Sequence, residues 1–351
     1  MEPVRGIPLG RGLALPVWGP AGADEALLLV GHGSRCRHSR AELVELGRQV
    51  AAARPELAVG VGFLELSDPP AGPVLDELVA RGARRVVVLP LMLLGAGHAK
   101  NDVPAVVLEA RERHPGVDLR YGAPLGVVSG LVELAGRRVE AAGLRGAPLL
   151  VLARGTSDPD ANAEAARAGR LVAEWTAAPY VHSGFTGVTW PLVPDALAQC
   201  AALGLERLGV FFWFLAYGTL IERAREDVAR ARVTHGIEIV DAGWFGVDGV
   251  LVTTVLERYR GALAGAVPVN CDMCVYRRPW PGLEDRIGQE RGHGHSHLAA
   301  EHRAHGRAGH VRADADHADG GGDRADGGGD RADGGGHDHR GRNHGGSGHS
   351  H

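Results

Sequence analysis

The sequence predicts an α/β protein of two similar open parallel-sheet domains facing each other across a cleft, followed by a disordered C-terminal tail. Three observations predict it. Short apolar runs alternate with longer stretches of helical period; the pattern recurs at one constant offset; and the composition changes abruptly near Arg291. Alternation of buried runs with amphipathic stretches is the pattern of a parallel sheet covered by helices.

The first run, Leu27 to Val30, is too short for a helix and apolar at every position, as a strand covered on both faces must be. It ends in Gly31, His32, Gly33 and Ser34, which predicts a tight turn, and Ser39 is a plausible N-cap for a helix from there to Ala53. A second strand includes Gly62 and Phe63, a third covers Val86 to Leu89, and the next helical stretch runs from Val103 to Arg113. Groups at turns after such strands sit at the carboxyl edge of the sheet, where open α/β folds bind ligands.

Moving 122 positions along the chain, Leu27 to Ser34 lines up with Leu149 to Thr156, Gly62-Phe63 with Gly184-Phe185, and Gly82 with Gly204. One offset serving three places predicts a duplication, with α/β domains at 24–144 and 145–265 and a ligand cleft between them. A segment at 266–290 carries a Cys-x-x-Cys. The tail, 291–351, is built from Gly, His, Asp and Arg and holds twelve of the eighteen histidines. With almost no large apolar residues it cannot offset its ordering entropy, so it is expected to be disordered.

The formal charge of −4 does not suggest a nucleic-acid binder, and Lys100 is the only lysine among the 38 basic residues. No apolar stretch has the length of a membrane span. Of four cysteines only Cys271 and Cys274 have a meaningful spacing, which suits metal or redox chemistry rather than a secreted disulfide framework. A cytoplasmic setting is expected.

His32, Glu65 and His98 each follow one of the first three strands. Two imidazoles and a carboxylate suit a divalent first-row ion, and three ligands leave positions open for an incoming substrate. Taken singly, each histidine is as well explained as a satisfied turn residue. At the same offset, however, Arg154 stands for His32, Gly187 for Glu65 and Leu220 for His98, so all three disappear together. Joint loss fits one retained site better than three structural residues.

The stretch Leu-Val-Gly-His-Gly-Ser at 29–34, with Pro-Leu-Met-Leu-Leu-Gly-Ala-Gly-His-Ala-Lys-Asn-Asp-Val-Pro at 90–104, resembles the CbiX family of sirohydrochlorin cobaltochelatases in its long, duplicated form, over roughly residues 25–280. The resemblance implies a chelatase-like fold and ATP-independent insertion of Co²⁺ into sirohydrochlorin for cobalamin synthesis. It implies metal binding by His32 and His98 with Glu65 as acidic partner, either third ligand or proton acceptor. For the anionic tetrapyrrole, Ser34, Arg35, Lys100 and Arg154 are the candidate binding groups. The long family members associate their Cys-x-x-Cys with an iron-sulfur cluster, so Cys271 and Cys274 are candidate cluster ligands, with a homodimer as one way to complete the set. His293, His295 and His297 open a tail expected to bind divalent metal.

Three rival readings remain at this point. One is the same reaction with Fe²⁺; another is a metal-storage protein or metallochaperone. The third, a phosphate-binding turn at Gly31 to Ser34, lacks the full Gly-x-Gly-x-x-Gly pattern and any Walker lysine.

Overall fold

The computed structural model describes residues 8–9 and 13–268. A short antiparallel pair, β1 (Pro8–Leu9) and β2 (Leu13–Ala14), precedes the first repeat. That repeat comprises β3 (Val17–Trp18), β4 (Glu25–Gly31), α1 (Arg37–Ala53), β5 (Ala58–Phe63), α2 (Ala71–Ala80), β6 (Arg85–Pro90), a π-helical turn (His98–Asp102), α3 (Val103–Arg113), β7 (Asp118–Tyr121) and α4 (Ser129–Ala141). Its five-stranded sheet has the order β3-β5-β4-β6-β7. All neighbours are parallel except β3, an antiparallel edge strand on β5. Two residues are too few to show a period, which is why the sequence reading missed β3 and took the sheet as wholly parallel.

The second repeat comprises β8 (Leu149–Ala153), α5 (Pro159–Thr176), β9 (Val181–Phe185), α6 (Val193–Ala202), β10 (Arg207–Phe212), α7 (Thr219–His235), β11 (Glu238–Asp241) and α8 (Gly249–Leu263). Its parallel sheet, β11-β10-β8-β9, has the strand order of the first without the added edge. The duplication reaches single backbone angles: Leu66 and Val188, 122 positions apart, both have positive φ, at 57° and 66°. After α7 the offset drops to 120, because two residues fewer connect α7 to β11 than α3 to β7, and Gly126 then matches Gly246.

Alternation along β4 divides its side chains between two cores. Ala26, Leu28 and Val30 face a core private to the first repeat, whereas Leu27 and Leu29 join a core shared with Leu149, Val151 and Ala153 of β8. All five of the β4 residues are fully buried, each stabilising the fold by roughly 1–3 kcal/mol. The last helices are exchanged. α8 packs on α1, β6 and β7 of the first repeat, while α4 packs on α5 and β10 of the second. The bonds are reciprocal: Arg258 of α8 donates to Leu125 O at 2.6 Å, and Arg138 of α4 donates to Phe245 O at 3.2 Å. Gly136 permits the close approach of α4 to α5, since a Cβ there would lie 2.1 Å from the Trp175 ring. Packing therefore lends each half of the duplication the other's last helix. Among the described residues no helix is long and apolar enough to cross a membrane.

Candidate metal centre

The first repeat gathers its three candidate ligands at the carboxyl edge of its sheet. His32 leaves β4 directly, Glu65 lies two residues beyond β5, and His98 opens the π-helical turn eight residues beyond β6. Gly33 makes the first approach feasible. Its φ is +97°, and a Cβ there would stand 1.6 Å from Glu65 O. Ser34 shapes the same turn: its Oγ accepts from the Cys36 N–H at 3.0 Å, its N–H donates to Ser67 Oγ at 2.9 Å, and Ser67 Oγ donates to Ser34 O at 2.8 Å. These bonds draw the start of α1 forward to Arg37, with Cys36 at the N-cap, so Ser39 lies inside the helix rather than capping it. Thr156 and Thr189 repeat all three bonds in the second half, at 3.2, 3.2 and 2.7 Å. They belong to the turn architecture that both repeats share.

One ligand-type atom from each of His32, Glu65 and His98 lies within 4.8 Å of the others, close enough for small rotamer adjustments to bring all three onto one ion. The imidazoles meet edge to face, with centroids 4.3 Å apart. His32 Nδ1 lies 3.1 Å from Gly33 O, which fixes the tautomer with the proton on Nδ1. Its Nε2 is then a lone-pair atom, buried without a hydrogen-bond partner and 3.4 Å from Glu65 Oε1. A buried lone pair facing a carboxylate and a second imidazole is a donor set that fits a cation. Burial lowers the His32 pKa to about 3, with the Arg154 guanidinium and His98 adding to the effect, so the ring is neutral at ordinary pH.

His98 is oriented by a residue the sequence reading did not single out. Asp102 Oδ2 lies 2.5 Å from His98 Nδ1, and Asn101 Nδ2 donates to Asp102 Oδ1 at 3.0 Å, so the ring is held in one orientation. The wider π-helical turn, in which the Val103 N–H bonds to His98 O, brings these i and i+4 side chains over one another. Tyr121 donates to Ala99 O at 2.6 Å within the turn. In the second repeat the same stretch, with Leu220, runs as regular α7. His-x-x-x-Asp spacing was the available signal; the π geometry that gives it meaning was not legible.

The four candidate substrate groups separate. Arg154 leaves β8 as His32 leaves β4, is exposed, and acts electrostatically on both His32 and Glu65, so the two sheet edges face each other there. Arg35 is exposed beside the His32 turn. Ser34 makes the turn contacts above. Lys100, expected to meet a substrate carboxylate, instead buries its side chain to 4% exposure and donates from Nζ to Asp158 Oδ2 at 2.7 Å. Its charge is already neutralised across the repeat boundary. Cys36 and Cys200 are free thiols, and burial pushes Cys200 up to about 11. Cys271, Cys274, His293, His295 and His297 lie outside the described residues.

Comparison with known proteins adds a family to this geometry. The CbiX family model matches residues 26–142 and again residues 148–262. A sirohydrochlorin cobaltochelatase of Priestia megaterium is 37% identical over 261 residues, 72% of this chain and 85% of that protein. A sirohydrochlorin ferrochelatase of Bacillus subtilis (strain 168) is 25% identical over 244 residues, 69% of this chain and 93% of that protein. Among solved structures, SirB from Bacillus subtilis with Fe³⁺ is similar at a TM-score of 0.63 and 25% identity, covering 69% of this chain and 97% of that one.

Proposed function

The chain belongs to the CbiX family, and from that premise we propose that it is a metal chelatase inserting Co²⁺ into sirohydrochlorin without ATP, on the path to cobalamin. The observation that carries the reading is the meeting of His32, Glu65 and His98 at one sheet edge, opposite Arg154.

Insertion exchanges two pyrrole N–H protons for the ion and trades protein ligands for ring nitrogens. The ion, a substrate here, must therefore be held by few ligands and released. His32 and His98 supply lone pairs at Nε2. With its pKa near 3, His32 is a poor resting place for a proton, which makes it a ligand rather than a base. Glu65 is the carboxylate at hand for a pyrrole proton. Arg154 and Arg35 supply positive charge for the carboxylates of the macrocycle. The 37% identical cobaltochelatase supports Co²⁺ over Fe²⁺.

The test is incubation of the full chain with sirohydrochlorin and Co²⁺, Fe²⁺ or Ni²⁺ without ATP, following the absorption of the macrocycle. Fastest conversion is expected with Co²⁺; faster conversion with Fe²⁺ would move the reading to siroheme synthesis, and none above the uncatalysed rate would end it. The proposal extends to a metal-loading role for the tail, supported by its histidine content. Deleting residues 291–351 should lower bound metal and activity at scarce Co²⁺ while sparing activity at saturating Co²⁺. It extends also to an iron-sulfur cluster at Cys271 and Cys274, supported by the Cys-x-x-Cys spacing and the resemblance to long family members, and colourless, iron-free protein after anaerobic reconstitution would remove it. A cytoplasmic setting, supported by the cysteine usage, is part of the same reading.

A further inference from the structure

Lys100 stands two residues beyond His98 inside the π-helical turn, and both oxygens of its partner Asp158 are engaged. Oδ2 receives Lys100 Nζ at 2.7 Å, while Oδ1 accepts the Asp160 N–H at 3.0 Å as the N-cap of α5. Asp160 Oδ2 lies 3.4 Å from the same ammonium, and all three side chains are no more than 4% exposed. Taking such charges out of water costs as much as their attraction returns, so a buried pair is weak evidence for stability. Its other use is to fix geometry. We propose that Asp158 and Asp160 of the second repeat are positioning residues for the metal centre of the first, holding the His98 turn through Lys100.

Three observations support it. The chain uses arginine at every other basic position, yet keeps its sole lysine where a compact ammonium must sit between two carboxylates. The repeats also cross in a symmetric way that serves as an internal control. Glu42 of α1 accepts from the Tyr217 N–H at 2.6 Å, and its counterpart Glu164 of α5 feels the favourable pull of the Gly95 N–H, Gly95 being the counterpart of Tyr217. That pair of contacts is common to both crossings. The lysine pair is not: at the matching positions of the other crossing stand Glu222, Cys36 and His38, which offer no cation to a carboxylate pair. The added clamp therefore falls on the crossing that carries the ligands. Finally, the turn it grips departs from α geometry, and its counterpart in α7 does not. π-Helical turns are rare and frequent at functional sites, and this one is tied to α5 through Lys100 and to β7 through Tyr121.

The inference rests on His32, Glu65 and His98 being the metal ligands, and the test keeps the two apart. Full-length protein is titrated with Co²⁺ alone, and the site component is the part of the visible-absorption signal missing from His98→Ala. The variant Lys100→Met with Asp158→Asn removes both charges while an asparagine retains the N-cap, so folding is preserved better than in either single variant. Its site affinity for Co²⁺ should fall about tenfold or more, with KM for Co²⁺ rising more than kcat falls. Asp160→Asn, which leaves the 2.7 Å pair in place, should weaken the same affinity about two- to threefold. Wild-type affinity and KM in both variants would overturn the positioning role. A wild-type titration that His98→Ala leaves unchanged would overturn the metal centre itself, and the proposal with it.

Discussion

His32 carries two consequences that can be measured separately. In the unfolded chain it takes up a proton near 6.5, whereas in the fold it does so only near 3, because burial and Arg154 disfavour the cation. Between those values the unfolded state binds more protons, so this group makes stability fall as pH is lowered through that window and leaves it unchanged above. Metal-free protein should lose more stability between about pH 7 and about pH 4.5 than His32→Asn does, by urea denaturation; equal losses would assign the titration elsewhere. In catalysis, His32→Ala and His98→Ala should each lower chelation by about two orders of magnitude, because a ligand is lost in each. Near wild-type rates in both would place the metal site elsewhere in the protein. These two histidines and Glu65 were legible because their residue types recur after successive strands and vanish together in the second repeat. Asp102 and the true partner of Lys100 were not, since one depends on a π-helical turn and the other on a contact 58 positions away in sequence.

The strand-to-helix turns show what an element contributes apart from its chemistry. Gly33 and Gly155 both have positive φ, and a Cβ at either would press on the facing turn, 1.6 Å from Glu65 O and 2.1 Å from Gly187 O. Gly33→Ala and Gly155→Ala should therefore each cost about 1–3 kcal/mol in chemical denaturation. Only the first displaces a member of the proposed metal centre, so only Gly33→Ala should weaken Co²⁺ binding at the site. Equal metal affinity in the two variants would show that Glu65 is not held by this turn. Two strands and two helices of the first repeat were readable from their periods, and the shared offset extended the reading to the second repeat. The edge strand β3 was too short to signal itself. The exchange of α4 and α8 was also hidden, because an apolar helical face states that a sheet is covered and not which sheet.

At the scale of the molecule, the halves share one hydrophobic core and trade a helix in each direction. Residues 13–144 alone would lack α8 over β6 and β7 and would present α4 with nothing to cover. Expressed by itself, that piece should sediment as a dimer or fail to stay in solution, and a stable, well-folded monomer would show that the exchange is dispensable. The trade has a historical reading as well. Two identical copies of one repeat, each lending its last helix to the other, would form a two-fold dimer with a metal-binding edge on both sides of the cleft. Joining them in one chain frees the copies to differ. One edge can then keep the proposed ligands while the other gives up His, Glu and His for Arg154, Gly187 and Leu220, so that two once-equal edges take on different tasks.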